Sequence, residues 1–162
     1  MLDIAKKTNA DVTYLLGDMR SINLDEKFDA VVIPDSIDYM NTLEDLKQTL
    51  LNAARHLKTG GVLLVVAHTK EEFKDNNFVY TGAKDNIHIT LFENNHIVSE
   101  NTYEATMFYL IRRGKETILH HEIHSLGLFS YEQWMSIFKR CQLKVDRSEE
   151  RRVGKDCRSR WS

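Results

Sequence analysis

The chain has 162 residues, 42% of them hydrophobic and 28% charged, with a formal net charge of -2. That is one globular domain with one core, and its charge gives no reason to expect nucleic acid or an anionic membrane as a partner. No apolar run approaches the roughly 18 residues that span a bilayer, no signal-peptide pattern opens the chain, and Cys141 and Cys157 offer neither a disulfide framework nor metal-ligand spacing, so a cytoplasmic protein is the default.

The first element is the end of a helix, Leu2 to Lys7. Two short apolar runs follow, "VTYLL" closed by Gly17 and "FDAVVI" closed by Pro34. Both are apolar at consecutive positions, the pattern of parallel strands buried on both faces. The spacing of Leu43, Leu46, Leu50, Ala54 and Leu57 predicts an amphipathic helix from Thr42 to Leu57. Thr42 caps it with Asp45 in a capping-box pattern, and Gly60-Gly61 follows as the stop. "VLLVVA" is a third buried strand. Strand, strand, helix, strand with short joints means a right-handed parallel crossover in an α/β fold. Four β-prone runs come next: Ile87 to Glu93, His96 to Tyr103, Ala105 to Arg112 and Thr117 to His124. Turns at Asn94-Asn95 and Arg113-Gly114 make them an antiparallel meander. Ser130 caps a last helix, Tyr131 to Cys141, before a short strand "LKV".

Ligands of open α/β sheets sit beyond the carboxyl ends of the strands. Two predicted strand ends carry polar groups there, at Asp18-Met19 and at Pro34-Asp35-Ser36. A carboxylate suits a ligand with amine or hydroxyl donors, and a methionine thioether suits a flat ring. The alternative is that Asp18 caps a turn and Asp35-Ser36 caps a helix. His68 follows the third strand and faces the same crevice. Its pKa range suits a general base for a substrate amine, with a solvated loop histidine as the alternative. Strand alternation places His120, Glu122 and His124 on one face, but their spacing matches no established zinc signature and no metal is expected.

Four stretches, in order, resemble class I S-adenosylmethionine-dependent methyltransferases, and most of all the branch of small-molecule and nucleotide-sugar N-methyltransferases. They are Gly17-Asp18-Met19-Arg20, Phe28-Asp29-Ala30-Val31, Asp35-Ser36-Ile37-Asp38-Tyr39-Met40 and Leu57-Lys58-Thr59-Gly60-Gly61. The third stands where the family tends to have Asp-Ser-x-Asn-Tyr-Leu. Later, Glu122 and His124 through Phe129 are similar to the family's Glu-x-His-x-x-Gly-Leu-Phe-Thr segment. The resemblance implies a Rossmann-like fold with an inserted antiparallel meander, S-adenosyl-L-methionine as cofactor and a small-molecule methyl acceptor. It further implies that Asp18 and Met19 meet the adenine and that the Ile33-Pro34 backbone faces the methionine part. Asp35, Ser36 and Tyr39 fall where cofactor and acceptor meet, with His124 on the substrate side and His68 as the candidate base, although the family often has Glu-Pro at His68.

Two departures bear on the extent of the domain. The family needs a glycine-rich turn after its first strand and an acidic residue after its second, whereas the first glycine here is Gly17. The expectation is a partial domain over residues 1–146, with 68–129 as the antiparallel insertion, that neither binds the cofactor nor folds cooperatively by itself. Residues 147–162 resemble a translated sequencing adapter and are expected to be a non-native tail. They hold six basic and three acidic residues, so the charge without them is -5. The competing readings are a nicotinamide-dependent oxidoreductase fragment and a non-catalytic binding module.

Overall fold

The structure, a computed structural model, describes residues 2–146; the tail expected to be non-native lies outside them. Nine regular elements and one 3-10 turn follow in order. They are helix α1 (Leu2–Thr8), strand β1 (Phe28–Pro34), the 3-10 turn Ser36–Tyr39, helix α2 (Leu43–Arg55), strands β2 (Leu57–Val66), β3 (Asn77–Lys84), β4 (Ile87–Ser99), β5 (Thr102–Arg113) and β6 (Glu116–Gly127), and helix α3 (Tyr131–Arg140).

β1 and β2 pair in parallel across the α2 crossover, from Ala30 opposite Val62 to Pro34 opposite Val66. The strands start with a register shift between Phe28 and Ala30. The glycine pair expected to stop α2 sits inside this irregularity, with Gly60 at φ 79, while the helix itself ends at Arg55 and is capped by His56. Thr42 caps α2 as predicted, its Oγ1 accepting the Asp45 N–H at 3.0 Å. The Asp45 carboxylate does not close the box. It accepts the Thr42 hydroxyl and the Arg20 guanidinium instead. Ser130 and Gln133 form a complete capping box at α3.

The main core lies between α2, α3 and one face of the parallel pair. Ile33, Ile37, Met40, Leu46, Leu50, Phe129, Trp134 and Ile137 are buried there, with Val31, Leu63 and Val65 packed against them. The other face is uncovered among the described residues: Val32, Val62 and Leu64 are all more than half exposed. The predicted burial on both faces therefore holds for one face only, because α1 buries none of its residues and no other described element lies there. The predicted strand at 12–16 is likewise absent. Val12, Leu15 and Leu16 are exposed, and a strand without a neighbour cannot satisfy its backbone groups. "LKV" at 143–145 forms no strand for the same reason.

β3 to β6 form a four-stranded antiparallel meander, as expected in kind but with different boundaries. β4 runs straight through Asn94-Asn95, which the sequence reading took for a turn. Asn94 Nδ2 donates to Asn77 Oδ1 across the ladder at 2.7 Å, Asn95 Nδ2 donates to Glu93 Oε1 at 2.8 Å, and the Asn95 N–H donates to the Asn76 carbonyl at 3.2 Å. β3, absent from the sequence-based expectation, supplies Asn77, and the residue just before it supplies the Asn76 carbonyl. The turn falls instead at Glu100-Asn101.

Candidate functional site

The 3-10 turn Ser36–Tyr39 is the hub of the site. It follows the carboxyl end of β1, and Asp35, the residue between them, sits at φ 53. This left-handed value is uncommon for a side chain with a Cβ. The Asp35 N–H extends the β1–β2 ladder by donating to the Val66 carbonyl at 3.0 Å, and its own carbonyl accepts the Asp38 N–H. Its side chain caps nothing, so the helix-cap alternative for Asp35 fails. The sharp reversal lifts Ser36 and Tyr39 out at the strand end while Ile37 goes into the core at 1% exposure.

Two side-chain pairs converge on this turn. Asp38 is buried, and its Oδ2 accepts from His68 Nδ1 at 2.6 Å; its Oδ1 lies 3.4 Å from the His68 N–H. His68, two residues past the end of β2, remains 60% exposed against 5% for Asp38. The Asp38 side chain accepting its Nδ1–H raises the pKa of the imidazole. Burial pushes the Asp38 carboxyl up, and the donors from His68 work against that. A carboxylate that accepts at both oxygens from one residue is the ionised partner of this pair, because each bond favours its charged form.

Tyr39 is the second anchor. Its hydroxyl lies 2.8 Å from His124 Nδ1, and the two rings meet edge to face at 5.9 Å. His124 Nε2 lies 3.3 Å from Glu122 Oε2, and Glu122 Oε1 lies 3.1 Å from His120 Nε2. A carboxylate accepts only, so Nε2 carries the His124 proton and Nδ1 accepts the Tyr39 hydroxyl. These bonds hold the Glu122 carboxyl below the usual carboxylate range. The β6 register places His120, Glu122 and His124 on one face with Tyr109, Met107 and Ala105 of β5. That face meets the 3-10 turn because β6 can come close: a Cβ at Gly127 would collide with the Met40 carbonyl. Among the described residues no cluster of His, Cys, Asp and Glu could hold a metal ion.

Asp18 and Met19 stand on a separate turn. The Asp18 carboxylate takes the Arg20 guanidinium at 2.7 to 3.1 Å and the Arg20 N–H at 2.9 Å, which lowers its pKa to about 2. Arg20 also reaches Asp45 on α2 at 2.9 Å. Asp18 remains 44% exposed, ionised and able only to accept. The Met19 side chain is half-buried against the core, and its carbonyl accepts from Asn52 Nδ2 at 3.0 Å, as the Ile22 carbonyl does at 2.9 Å. His56 completes the support, with Nε2 accepting the Leu24 N–H at 3.0 Å. Ile33 is a core side chain, so only its backbone is available to a ligand, whereas Pro34 is exposed.

The structure thus brings together Asp35, Ser36, Tyr39, His68 and His124, and keeps Asp18 and Met19 on their own turn, tied to α2. Sequence reading missed Asp38 as the partner of His68. The signal was there in principle, an aspartate where the resembled pattern has asparagine, but only the parallel pairing of β1 with β2 brings residues 38 and 68 together.

The comparisons agree with this architecture. Residues 1–65 match the family model described as a methyltransferase domain. The chain is 30% identical over 149 residues to the dTDP-3-amino-3,4,6-trideoxy-alpha-D-glucopyranose N,N-dimethyltransferase of Streptomyces venezuelae, covering 90% of this chain and 63% of that protein. It is 30% identical over 151 residues to the dTDP-3-amino-3,6-dideoxy-alpha-D-glucopyranose N,N-dimethyltransferase of Streptomyces fradiae, covering 90% and 58%. The crystal structure of Streptomyces venezuelae DesVI superposes with a TM-score of 0.82 at 27% identity, again over 90% and 63%. In sequence and in fold the chain is similar to S-adenosylmethionine-dependent methyltransferases, as its motifs suggested. It spans less than two thirds of the length of these relatives.

Proposed function

We propose that this chain is part of an S-adenosyl-L-methionine-dependent methyltransferase that acts on the amine of a small molecule, most simply an amino sugar carried on a nucleotide. The observation that carries the reading is the turn after β1. A strained Asp35, a histidine-aspartate pair and a tyrosine-histidine pair meet there at the carboxyl end of a parallel sheet, where doubly wound proteins bind ligands. The residues present fit the adenine and methionine ends of the cofactor. The ionised, exposed Asp18 beside the Met19 thioether matches a flat ring bearing an amino group, and the Ile33-Pro34 backbone and Asp35 would hold the methionine part. When bound, the cofactor supplies an activated methyl group.

The work left to the protein is alignment, exclusion of water and removal of one proton. Ser36, Tyr39 and His124 would position the acceptor, with the meander covering it. The Tyr39 hydroxyl donates its hydrogen bond to His124 and so presents oxygen lone pairs to a substrate N–H or O–H. His68 would take the proton from the acceptor nitrogen. Residues 1–146 form the methyltransferase portion in this reading, with 68–129 as its substrate-side insertion. The protein works in the cytoplasm on a small-molecule partner, without nucleic acid or membrane. The nicotinamide alternative has no support in the relatives. The test, on the longer protein of which this chain is part, is calorimetric titration with S-adenosyl-L-methionine, followed by transfer of a labelled methyl group to dTDP-3-amino-3,4,6-trideoxy-alpha-D-glucopyranose. Binding in the micromolar range with transfer to the amine is the expected result; binding of neither ligand sinks the reading.

A further inference from the structure

We propose that Asp38 is the positioning residue of a His68–Asp38 dyad, holding the imidazole in one tautomer and one direction so that Nε2 collects the proton of the methylated amine. The inference rests on the methyltransferase reading and adds to it the device that makes His68 a base. Its grounds are geometric. The 2.6 Å contact from Nδ1 to Oδ2 assigns the ring proton to Nδ1, which leaves Nε2 as the basic atom. No hydrogen bond holds Nε2 among the described residues, and the imidazole is more than half exposed.

Burying a carboxylate is costly unless it is paired, and Asp38 is buried at the one place where β1 and β2 end side by side. One of its oxygens faces a backbone amide, that of His68, as for any capping aspartate. The other spans both strand ends and grips the exposed His68 side chain. The other ionisable groups facing His68 are Asp35, on the link from β1, and Glu72, on the segment after β2. Both are acidic, so they favour the protonated ring as Asp38 does. Tyr103 of β5 lies close to Asp38, and burial keeps its hydroxyl protonated.

The proton balance is simple. As the C–N bond forms and the donor's C–S bond breaks, the acceptor nitrogen becomes a cationic secondary ammonium. Its N–H proton passes to His68 Nε2, leaving a neutral N-methyl amine. The ring then carries the positive charge against Asp38, and solvent removes the proton.

The experiment uses the full chain labelled with 15N, its His68 ring nitrogens followed by long-range proton correlation and its Cε1–H titrated with pH. In the wild type His68 should be protonated at Nδ1 with Nε2 basic. Asp38→Asn, which keeps the acceptor oxygen and removes the charge, should retain that tautomer and lower the titration midpoint. A wild-type ring protonated at Nε2, or a midpoint that Asp38→Asn leaves in place, overturns the proposal without any activity measurement. Methyl transfer to the amino-sugar nucleotide, by the longer protein of which this chain is part, separates it from the reading beneath it. Rate should rise with pH as His68 loses its proton. Asp38→Asn should move that limb to lower pH and cut kcat on the order of tenfold with little change in KM, the effect of one charge-assisted hydrogen bond. His68→Gln should remove the limb. If His68→Gln changes nothing, the base assignment itself is wrong; if it slows transfer while Asp38→Asn leaves the limb unmoved, Asp38 is merely structural.

Discussion

Replacing Asn52 with alanine should loosen the turn that carries Asp18 and Met19 while leaving the main core intact. Asn52 is buried at 7% exposure, and its amide donates to two carbonyls, those of Met19 and Ile22, at 3.0 and 2.9 Å. Alanine removes both bonds and leaves two partly shielded acceptors without their donor. Each lost bond costs about 1 kcal/mol net, and incomplete access of water to the stranded carbonyls adds to that, so the total is about 2–3 kcal/mol. Urea unfolding is the direct assay. With a slope of about 2 kcal/mol per molar for a domain this size, the midpoint should fall by about 1 M with the slope unchanged. The effect should concentrate on the turn, so amide exchange of residues 19–24 should accelerate more than that of α2 or β1. An unchanged midpoint would show that water replaces the Asn52 amide at no cost. Uniform acceleration across the domain would show that the turn is not a separate unit.

Two further perturbations test other parts of the site. Gly127→Ala places a methyl group against the Met40 carbonyl, which forces β6 away from the 3-10 turn. The cost should be about 1–3 kcal/mol by overpacking, and the Tyr39–His124 contact should open, visible as loss of nuclear Overhauser effects between the two rings. Asp18 should titrate at about 2 because of Arg20, and Arg20→Ala should return it to the ordinary carboxylate range in a carbon-detected pH titration. The sign follows from the depressed folded value: what the pair contributes is present above the unfolded carboxylate pKa and is lost as pH falls toward 2. Both partners are open to solvent, so a high-salt titration should bring the Asp18 midpoint part of the way back.

Local chemistry alone determined several features of this chain. Helical spacing and capping residues placed α2 and α3 within one or two residues, since those signals are carried by neighbours in the sequence. The consecutive apolar runs of β1 and β2, with a helix between them, specified a parallel crossover because no other short connection returns a strand in the same direction. The motifs around Asp18 and Asp35 pointed to the family. What the sequence could not decide was anything that depends on a partner distant along the chain. Residues 12–16 have a strand's composition but no strand beside them among the described residues. Asn94-Asn95 reads as a turn until residues 76 and 77, at the start of β3, supply acceptors across the ladder. One face of β1 and β2 is left open although both faces are apolar. The dyad shows the same limit most sharply. An aspartate at 38 and a histidine at 68 are unremarkable apart, and only the register of two parallel strands brings them to 2.6 Å. Strand pairing is a long-range choice made by hydrogen bonds and packing across the sheet, and the site is built at the ends of what that choice aligns.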